Sequence, residues 1–317
     1  MGSRKLLTIF GATGNQGGSV VDAVLARPEL QDKYSLRGIT RDALSGKSKA
    51  LADKGVEMAQ ANLDDVESMK TAIKGSYGVF GVTDFWAVMS KDIEIQQGKN
   101  LFEACKAQEV KHYVFSALPY AEKLTDGVLK HVDHFDSKAM VAEHIEANKG
   151  DMIASYFMPA MFIDLLARQV KVDDGKASLS MPFPYEATWP LIQPRRDGGK
   201  YVMGLFEGGS KANGVKVHAV STWTTPKEVV DVLSQESGRD ITWNDTAPDV
   251  YSGFLKEKMG PVVAEELTQT FQLAGEYNYY GKGEEKNQDK HHEWLLEGAD
   301  LISYPQWAKE NGPFKYE

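Results

Sequence analysis

A short segment near the start of the chain combines an apolar strand, a glycine-rich turn and the beginning of a helix. Residues 6–10 are apolar or β-branched, which is typical of a central parallel strand. Gly11, Gly14 and Gly17 follow at a Gly-x-x-Gly-x-x-Gly spacing. The first glycine permits a tight turn, the second lets a phosphate approach the backbone, and the third lets the helix pack against the strand.

A plain strand-to-helix turn is the alternative interpretation, and the segments that follow bear on the choice. Strands and helices alternate to about residue 160, which is the pattern of a parallel sheet with helices on both faces. The N–H groups and the dipole of the first helix then favour an anion at the glycine turn. We therefore expect an α/β protein with a Rossmann-type doubly wound parallel sheet and a smaller α+β C-terminal domain.

The predicted domain boundary lies where this regular alternation ends. Residues 1–165 form the dinucleotide-binding domain, residues 216–238 return to it, and residues 166–317 form the smaller C-terminal domain. Within the Gly- and Pro-rich stretch before residue 216, residues 195–199 are expected to form a loop.

The end of the second strand bears on which dinucleotide is bound. In NAD-binding folds an acidic residue at this point binds the ribose 2′-hydroxyl. This strand ends in Thr40-Arg41, and Lys47 follows in a Ser/Gly stretch. A guanidinium can form paired hydrogen bonds to a 2′-phosphate, so the sequence favours NADP(H) over NAD(H). The alternative is an ordinary solvated arginine.

Two further strand ends supply candidates, because open α/β sheets bind ligands outside the carboxyl ends of their strands. Asn62 and Leu63 follow the third strand and are candidates for contact with an adenine. Thr83 and Phe85 follow the fourth strand, although the aromatic residues there could simply fill the core.

Charge and composition narrow the range of partners. The net charge of -9 argues against direct binding to nucleic acid, which requires a basic face. Cys105 is the only cysteine, which excludes an internal disulfide, and it is expected on the buried face of a helix. No apolar run reaches membrane-spanning length and no secretory signal is visible, so we expect a cytoplasmic protein, with the nucleus as a further location.

Three residues resemble the catalytic set of the short-chain dehydrogenase/reductase superfamily, with one replacement. Ordinary members use a Ser with a Tyr-x-x-x-Lys pair, in which the phenol transfers a proton and the lysine holds the nicotinamide ribose. Here Ser116 ends the fifth strand, Lys138 occupies the lysine position, and His134 stands where Tyr is usual. An imidazole transfers protons near neutral pH, but it is shorter than a phenol and a nearby lysine disfavours its protonation. Capping or packing at the helix start is therefore the favoured role for His134, and proton transfer is the alternative.

Four blocks carry a closer resemblance: residues 10–20, 82–86, 97–99 and 134–138. They resemble the NmrA-like family, and in particular its NADPH-sensing eukaryotic members. The resemblance covers most of residues 5–165 and continues loosely through residues 226–237 and the segment around Trp307. The family implies an NADP(H)-binding fold in which the catalytic Tyr is often lost. Some members act as redox sensors that bind a regulatory protein, and others are treated as oxidoreductases.

Carried over by position, the resemblance implies a set of cofactor ligands. The pyrophosphate loop would be Gly11, Ala12, Thr13, Gly14, Asn15, Gln16 and Gly17. The 2′-phosphate site would be Arg41 with Lys47. The nicotinamide side would be Thr83, Phe85, Lys138, Pro159, Met161 and Phe162, and Asp84 is a further expected cofactor ligand.

Two functions remain open at this point. The intact phosphate machinery beside the missing Tyr favours a regulator that changes its protein partner, or its monomer–dimer state, with NADPH or NADP+ bound. The alternative is an NADPH-dependent reductase of a small apolar carbonyl, enal or quinone, in which a water, Tyr120 or His134 supplies the proton. Its apolar pocket would be closed by Tyr185, Trp189, Tyr279 and Tyr280, which could instead fill a core or form an interface.

A metal enzyme is a weaker option. His131 and His134 lie three residues apart, and His291 and His292 are adjacent. In the sequence no carboxylate completes a recognised ligand set with either pair, so we expect no metal site.

Overall fold

The computed structural model describes residues 4–316, and within them the chain forms 13 strands and 15 α-helices. The strands are β1 (Lys5–Phe10), β2 (Tyr34–Thr40), β3 (Glu57–Gln60), β4 (Gly78–Gly81), β5 (His112–Ser116), β6 (Ile153–Pro159), β7 (Met161–Phe162), β8 (Lys171–Asp173), β9 (Lys176–Met181), β10 (Trp189–Ile192), β11 (Lys216–Ala219), β12 (Thr222–Thr224) and β13 (Ile241–Asp245). The helices are α1 (Asn15–Leu25), α2 (Pro28–Lys33), α3 (Gly46–Ala52), α4 (Val66–Ile73), α5 (Phe85–Val88), α6 (Lys91–Ala107), α7 (Ala121–Leu124), α8 (Asp133–Asn148), α9 (Asp164–Ala167), α10 (Pro194–Gly208), α11 (Pro226–Ser237), α12 (Pro248–Met259), α13 (Pro261–Tyr277), α14 (Gln288–His292) and α15 (Tyr304–Asn311).

The central sheet has seven strands in the order β3-β2-β1-β4-β5-β6-β11, and every neighbouring pair is parallel. Ile9 in β1 pairs with Gly38 on one side and with Phe80 on the other. The order in which strands are added changes side between β1 and β4, and doubly wound sheets bind their ligands at such a point. The predicted Rossmann-type fold is confirmed.

Local sequence accounts for much of this layer. All residues of β4 and β5 are buried, as apolar runs between two helical layers should be. Asp65 caps α4, because its carboxylate accepts the N–H groups of Glu67 and Ser68 at 3.1 Å. Cys105 is fully buried on α6, which confirms its packing role.

The loop expected at residues 195–199 is wrong, because these residues form the first turns of α10. Pro194 occupies the first turn, and the Gln193 side chain accepts the Arg195 N–H at 2.9 Å. Gly199 then meets α1: a Cβ there would lie 2.1 Å from the Ser19 carbonyl oxygen. The glycines that suggested a loop instead allow α10 and α1 to approach closely.

The remaining residues add two small sheets, in the orders β12-β10-β7 and β13-β9-β8. Trp189 and Trp243 pack around Phe183 between these sheets, with the Trp189 and Phe183 ring centroids 4.4 Å apart. The helices α12 and α13 pack against each other and roof the carboxyl edge of the large sheet. The division at residue 165 stays a prediction, since α10 and β11 complete layers begun by the first half. Among residues 4–316, none of the helices has the length and apolar character needed to span a bilayer.

Candidate functional site

A cavity of about 1450 Å³ runs along the carboxyl edge of the central sheet. One end is formed by the glycine turn after β1 and by the loop after β3. The other end is apolar and lies under α12 and α13, where Met161, Leu255 and Leu267 are among the lining residues. The cavity therefore joins a polar end at the glycine turn to an apolar chamber.

Most of the predicted site residues line this cavity. They are Gly11, Thr13, Gly14, Asn15, Gln16, Gly17, Arg41, Asn62, Leu63, Thr83, Asp84, Phe85, His134, Lys138, Pro159, Met161 and Phe162. Ala12 and Lys47 are not among the lining residues. Ala12 is buried with its N–H donated to the Ile39 carbonyl, at 3.2 Å, and Lys47 is exposed on α3.

The glycine turn has the geometry that the motif predicts. Gly11 adopts φ +65°, a left-handed conformation that glycine tolerates best. A Cβ on Gly17 would lie 2.3 Å from the Phe10 carbonyl oxygen, so only glycine lets α1 pack this closely on β1. These two structural roles are confirmed. The helix begins after Gly14 without a side-chain cap, which leaves its first N–H groups available to an anion.

Arg195, which the sequence placed in a loop, contacts the glycine turn from outside the cavity lining. Its guanidinium donates to the Gly14 carbonyl at 2.9 Å and pairs with Asp22 at 2.6 Å. Because Gly14 belongs to the turn, the contact couples α10 to the turn. The sequence did not reveal this contact, because Gly198 and Gly199 led to the prediction of a loop where α10 begins.

A buried polar cluster surrounds Lys138. Its ammonium group donates to the carboxylate of Glu94 on α6 and, at 3.1 Å, to the Thr83 hydroxyl. The Thr83 and Ser137 hydroxyls also donate to Glu94, the first of them at 2.7 Å. Glu94 is completely buried, so its charge is compensated by this ion pair and these hydrogen bonds. Sequence reasoning missed Glu94, because α6 lies about 40 residues before Lys138.

Ser116 has a different partner from the one that the superfamily resemblance implies. Its hydroxyl donates to the Gln16 side-chain oxygen at 2.6 Å. The serine is completely buried and lines the cavity, so it connects the end of β5 to the first turn of α1. No hydrogen bond joins it to His134 or Lys138 within residues 4–316.

Glu266 of α13 is hydrogen-bonded to both the backbone and the ring of His134. Its Nδ1 is hydrogen-bonded to Glu266 Oε1, and its backbone N–H donates to the same oxygen at 3.2 Å. The ring packs against Phe135, with centroids 4.7 Å apart, and against Trp86, at 5.2 Å. Glu266 is 132 residues away from His134 in the chain, so no local pattern linked the two residues.

Of the four aromatic residues expected to close the pocket, only Tyr279 lines it. The Tyr279 hydroxyl donates to the Pro159 carbonyl at 3.0 Å. Trp189 and Tyr280 are buried in packing instead, and Tyr185 is exposed. Tyr120 also lies outside the lining, with Lys123 over its ring, so it is not placed to supply a proton.

A second histidine–carboxylate group lies at the outer edge of the sheet. Glu284 joins His291 and His218, and one ligand atom from each lies within 4.8 Å of the others. His291 Nδ1 accepts the His218 N–H at 3.2 Å, and Gln288 donates to the His218 carbonyl at the same distance. Burial lowers the pKa of His218 to about 3, aided by nearby cationic groups. These contacts bond to the backbone of the edge strand β11, so we interpret the group as part of the packing of this edge.

Comparisons with known proteins identify the family and the fold. The sequence profile of the NmrA-like family matches residues 3–301. The chain belongs to the NmrA-like family. A relative from Aspergillus hancockii, an NmrA-like family domain-containing oxidoreductase, is 29% identical over 250 residues, covering 74% of this chain and 73% of the relative.

Two solved structures place this NmrA-like protein among related folds. NmrA, a negative transcriptional regulator crystallised in complex with NADP, superposes with a TM-score of 0.80 at 19% identity, covering 98% of this chain and 96% of NmrA. The Citrobacter sp. triphenylmethane reductase, complexed with NADP(H), superposes with a TM-score of 0.72 at 18% identity, covering 96% and 99%. At these identities the likeness concerns the fold.

Proposed function

We propose that this NmrA-like protein binds NADP(H) and reduces a small, uncharged apolar carbonyl, enal or quinone. The observation that carries the proposal is the continuity of the cavity, from an anion-binding helix start to an apolar chamber. Its volume of about 1450 Å³ exceeds the usual range for a single ligand pocket, roughly 300–1,000 Å³. The excess leaves room for a second molecule beside a dinucleotide.

Each end of the cavity suits one part of such a complex. The first N–H groups of α1 would hold the pyrophosphate, and the exposed guanidinium of Arg41 would hold the 2′-phosphate. A bound reduced nicotinamide supplies a hydride equivalent. An ammonium has three donors, and Glu94 and Thr83 account for two of those of Lys138, which leaves one for a ribose hydroxyl.

The related proteins support NADP(H) binding and an oxidoreductase activity. Several curated relatives are named oxidoreductases, and two of the fold neighbours were crystallised with NADP or NADP(H). None of these names specifies a substrate for the present chain. The lining of its chamber favours apolar molecules, because Met161, Leu255 and Leu267 offer no hydrogen-bond donors.

The test is NADPH consumption by the purified protein, followed optically with quinones, enals, aldehydes and ketones, with NADPH binding measured by calorimetry in the same sample. Steady oxidation that requires one substrate class would support the reductase. Tight binding of NADPH without turnover would contradict the reductase proposal. Absence of NADPH binding would show that the start of α1 does not hold the cofactor.

Leu267→Asp and Val262→Asp form a matched pair on α13 for the same assay. Leu267 lines the chamber, whereas Val262 is 66% exposed. A charge in the chamber should abolish turnover of an apolar substrate while NADPH affinity is preserved. The exposed charge should leave both unchanged. Equal turnover by the two variants would place the substrate elsewhere.

A redox-sensing regulator is the second candidate, and α12 is the feature that favours it. Tyr251 and Leu255 on this helix line the cavity, whereas Val250 and Phe254 are more than half exposed. One helix thus connects the cavity to an apolar surface, so that occupancy could shift the surface that a partner meets. Hydrogen exchange over residues 248–259 should then slow when NADPH binds, and unchanged exchange would contradict this role.

A further inference from the structure

Glu266 has a set of partners that packing alone does not require. It is 3% exposed, and its two oxygens receive three hydrogen-bond contacts from the start of α8. Oε2 accepts the N–H of Asp133 at 2.8 Å, and Oε1 contacts both the N–H and the ring Nδ1 of His134. The residue before α8, Val132, provides no side-chain cap, so Glu266 caps this helix from a distant part of the chain.

The buried charge of Glu266 is tolerated because of where it lies. A carboxylate in a low-dielectric site is costly unless it is hydrogen-bonded, and a helix N-terminus supplies both donors and a favourable dipole. An ionised carboxylate accepts hydrogen bonds but cannot donate them. With Glu266 ionised, the hydrogen between its Oε1 and His134 belongs to Nδ1.

This contact determines which ring nitrogen of His134 is left for a ligand. With Nδ1 donating to Glu266, the second nitrogen, Nε2, carries the exchangeable proton when the ring is cationic and a lone pair when it is neutral. Nε2 has no hydrogen-bond partner within residues 4–316, and His134 lines the cavity one helical turn from Lys138. Contacts with Phe135 and Trp86 restrict the rotation of the ring.

We propose that Glu266 is a positioning residue that holds His134 as the proton donor to the substrate oxygen. This inference rests on the proposed reductase function. During reduction the Nε2–H bond breaks, its proton bonds to the carbonyl oxygen, and the carbonyl carbon receives a hydride equivalent from the reduced nicotinamide, which gives an alcohol. The imidazolium becomes a neutral imidazole that still donates from Nδ1 to Glu266, and solvent returns the proton to Nε2.

Glu266→Gln is the informative variant, and Glu265→Gln is its matched control. A glutamine offers one acceptor oxygen and an NH₂ group, so it cannot serve all three donors. Glu265, the next residue on α13, is half-buried and bonds to the side chain of Gln269. With the best substrate of the panel, Glu266→Gln should lower kcat by about a hundredfold, while the Kd for NADPH changes less than about twofold. The control should change neither value.

The non-additivity of two substitutions separates positioning from a merely structural role. If Glu266 acts through His134, adding Glu266→Gln to His134→Ala should cost no further activity. Nitrogen NMR of ring-labelled histidine provides a readout besides activity. In the wild type His134 should show a protonated Nδ1, and this signature should be lost in Glu266→Gln, with thermal melting used to confirm that the variant is folded.

The outcomes distinguish failure of the inference from failure of the function on which it rests. Absence of turnover by the wild type across the panel would remove the proposed function. Turnover that is unaffected by Glu266→Gln, or additive losses in the double variant, would overturn the role of Glu266 while the reductase remains. A wild-type ring protonated only at Nε2 would also overturn it.

Discussion

The two ends of the cavity are built in different ways. At the polar end, the glycine turn is one contiguous segment, residues 11–17, and it leads into a helix start without a side-chain cap. The opposite end combines side chains of α8, β7, α12 and α13, which are spread over residues 133–277 of the chain. A main-chain site follows from local conformation, whereas a side-chain site exists only once distant elements have packed.

The Lys138 cluster, like the apolar end, is a site made by side chains of distant elements. The Lys138 ammonium on α8 is compensated by the Glu94 carboxylate, which α6 supplies. The comparison therefore predicts that substitutions have large effects where a distant partner or a tight main-chain contact is removed, and small effects at positions with open space.

Glu94→Ala should have the largest effect. Removing one partner of a buried ion pair leaves the Lys138 ammonium uncompensated, and the free energy of unfolding should fall by about 3–5 kcal/mol. Urea denaturation measures this change. Glu103→Ala on the same helix is the control, since Glu103 is exposed and lies 3.7 Å from His144, and it should cost about 0.5 kcal/mol or less. Equal losses would mean that the Lys138 pair is no more important than a surface pair.

Gly17→Ala tests the main-chain end. The new Cβ would meet the Phe10 carbonyl at 2.3 Å, so α1 must move away from β1. We expect a loss of about 3 kcal/mol in unfolding free energy and loss of NADPH binding, measured by denaturation and calorimetry. Gly46→Ala is the control, because nothing lies within 4 Å of a Cβ there. Unchanged NADPH affinity in Gly17→Ala would show that the turn does not hold the cofactor.

Arg41→Ala examines a side chain attached to the main-chain end. Loss of charged hydrogen bonds to a 2′-phosphate should weaken NADPH binding by about tenfold to a hundredfold and leave NADH binding unchanged. Parallel calorimetric titrations with the two nucleotides measure the preference. If NADPH affinity does not change, the 2′-phosphate assignment is wrong and the arginine is only solvated.

Gly253→Ala should have the smallest effect and the opposite sign. Gly253 lies inside α12, and a Cβ there would meet nothing within 4 Å. The better helix propensity of alanine should raise the unfolding free energy by about 1 kcal/mol, while NADPH affinity stays the same. A loss of stability would indicate that α12 is packed more tightly around Gly253 than this open space implies.

Much of the first half could be predicted because its signals are local. The buried strands, the spacing of Gly11, Gly14 and Gly17, and a cap such as Asp65 depend on residues within a few positions of each other. The error at residues 195–199 has a related cause. Glycines usually mark loops, but Gly199 is required by contact with Ser19 on another helix, which no local pattern reveals.

The sequence by itself determined the sheet, the glycine turn and the positions of His134 and Lys138 on one helix face. Only the tertiary structure decided what those two side chains touch. Glu94 and Glu266 reach them from α6 and α13, and neither residue differs in the sequence from an ordinary surface glutamate. The reason is physical: backbone conformation responds to neighbouring residues, whereas the environment of a buried charge is made by whichever distant side chains the fold brings to it.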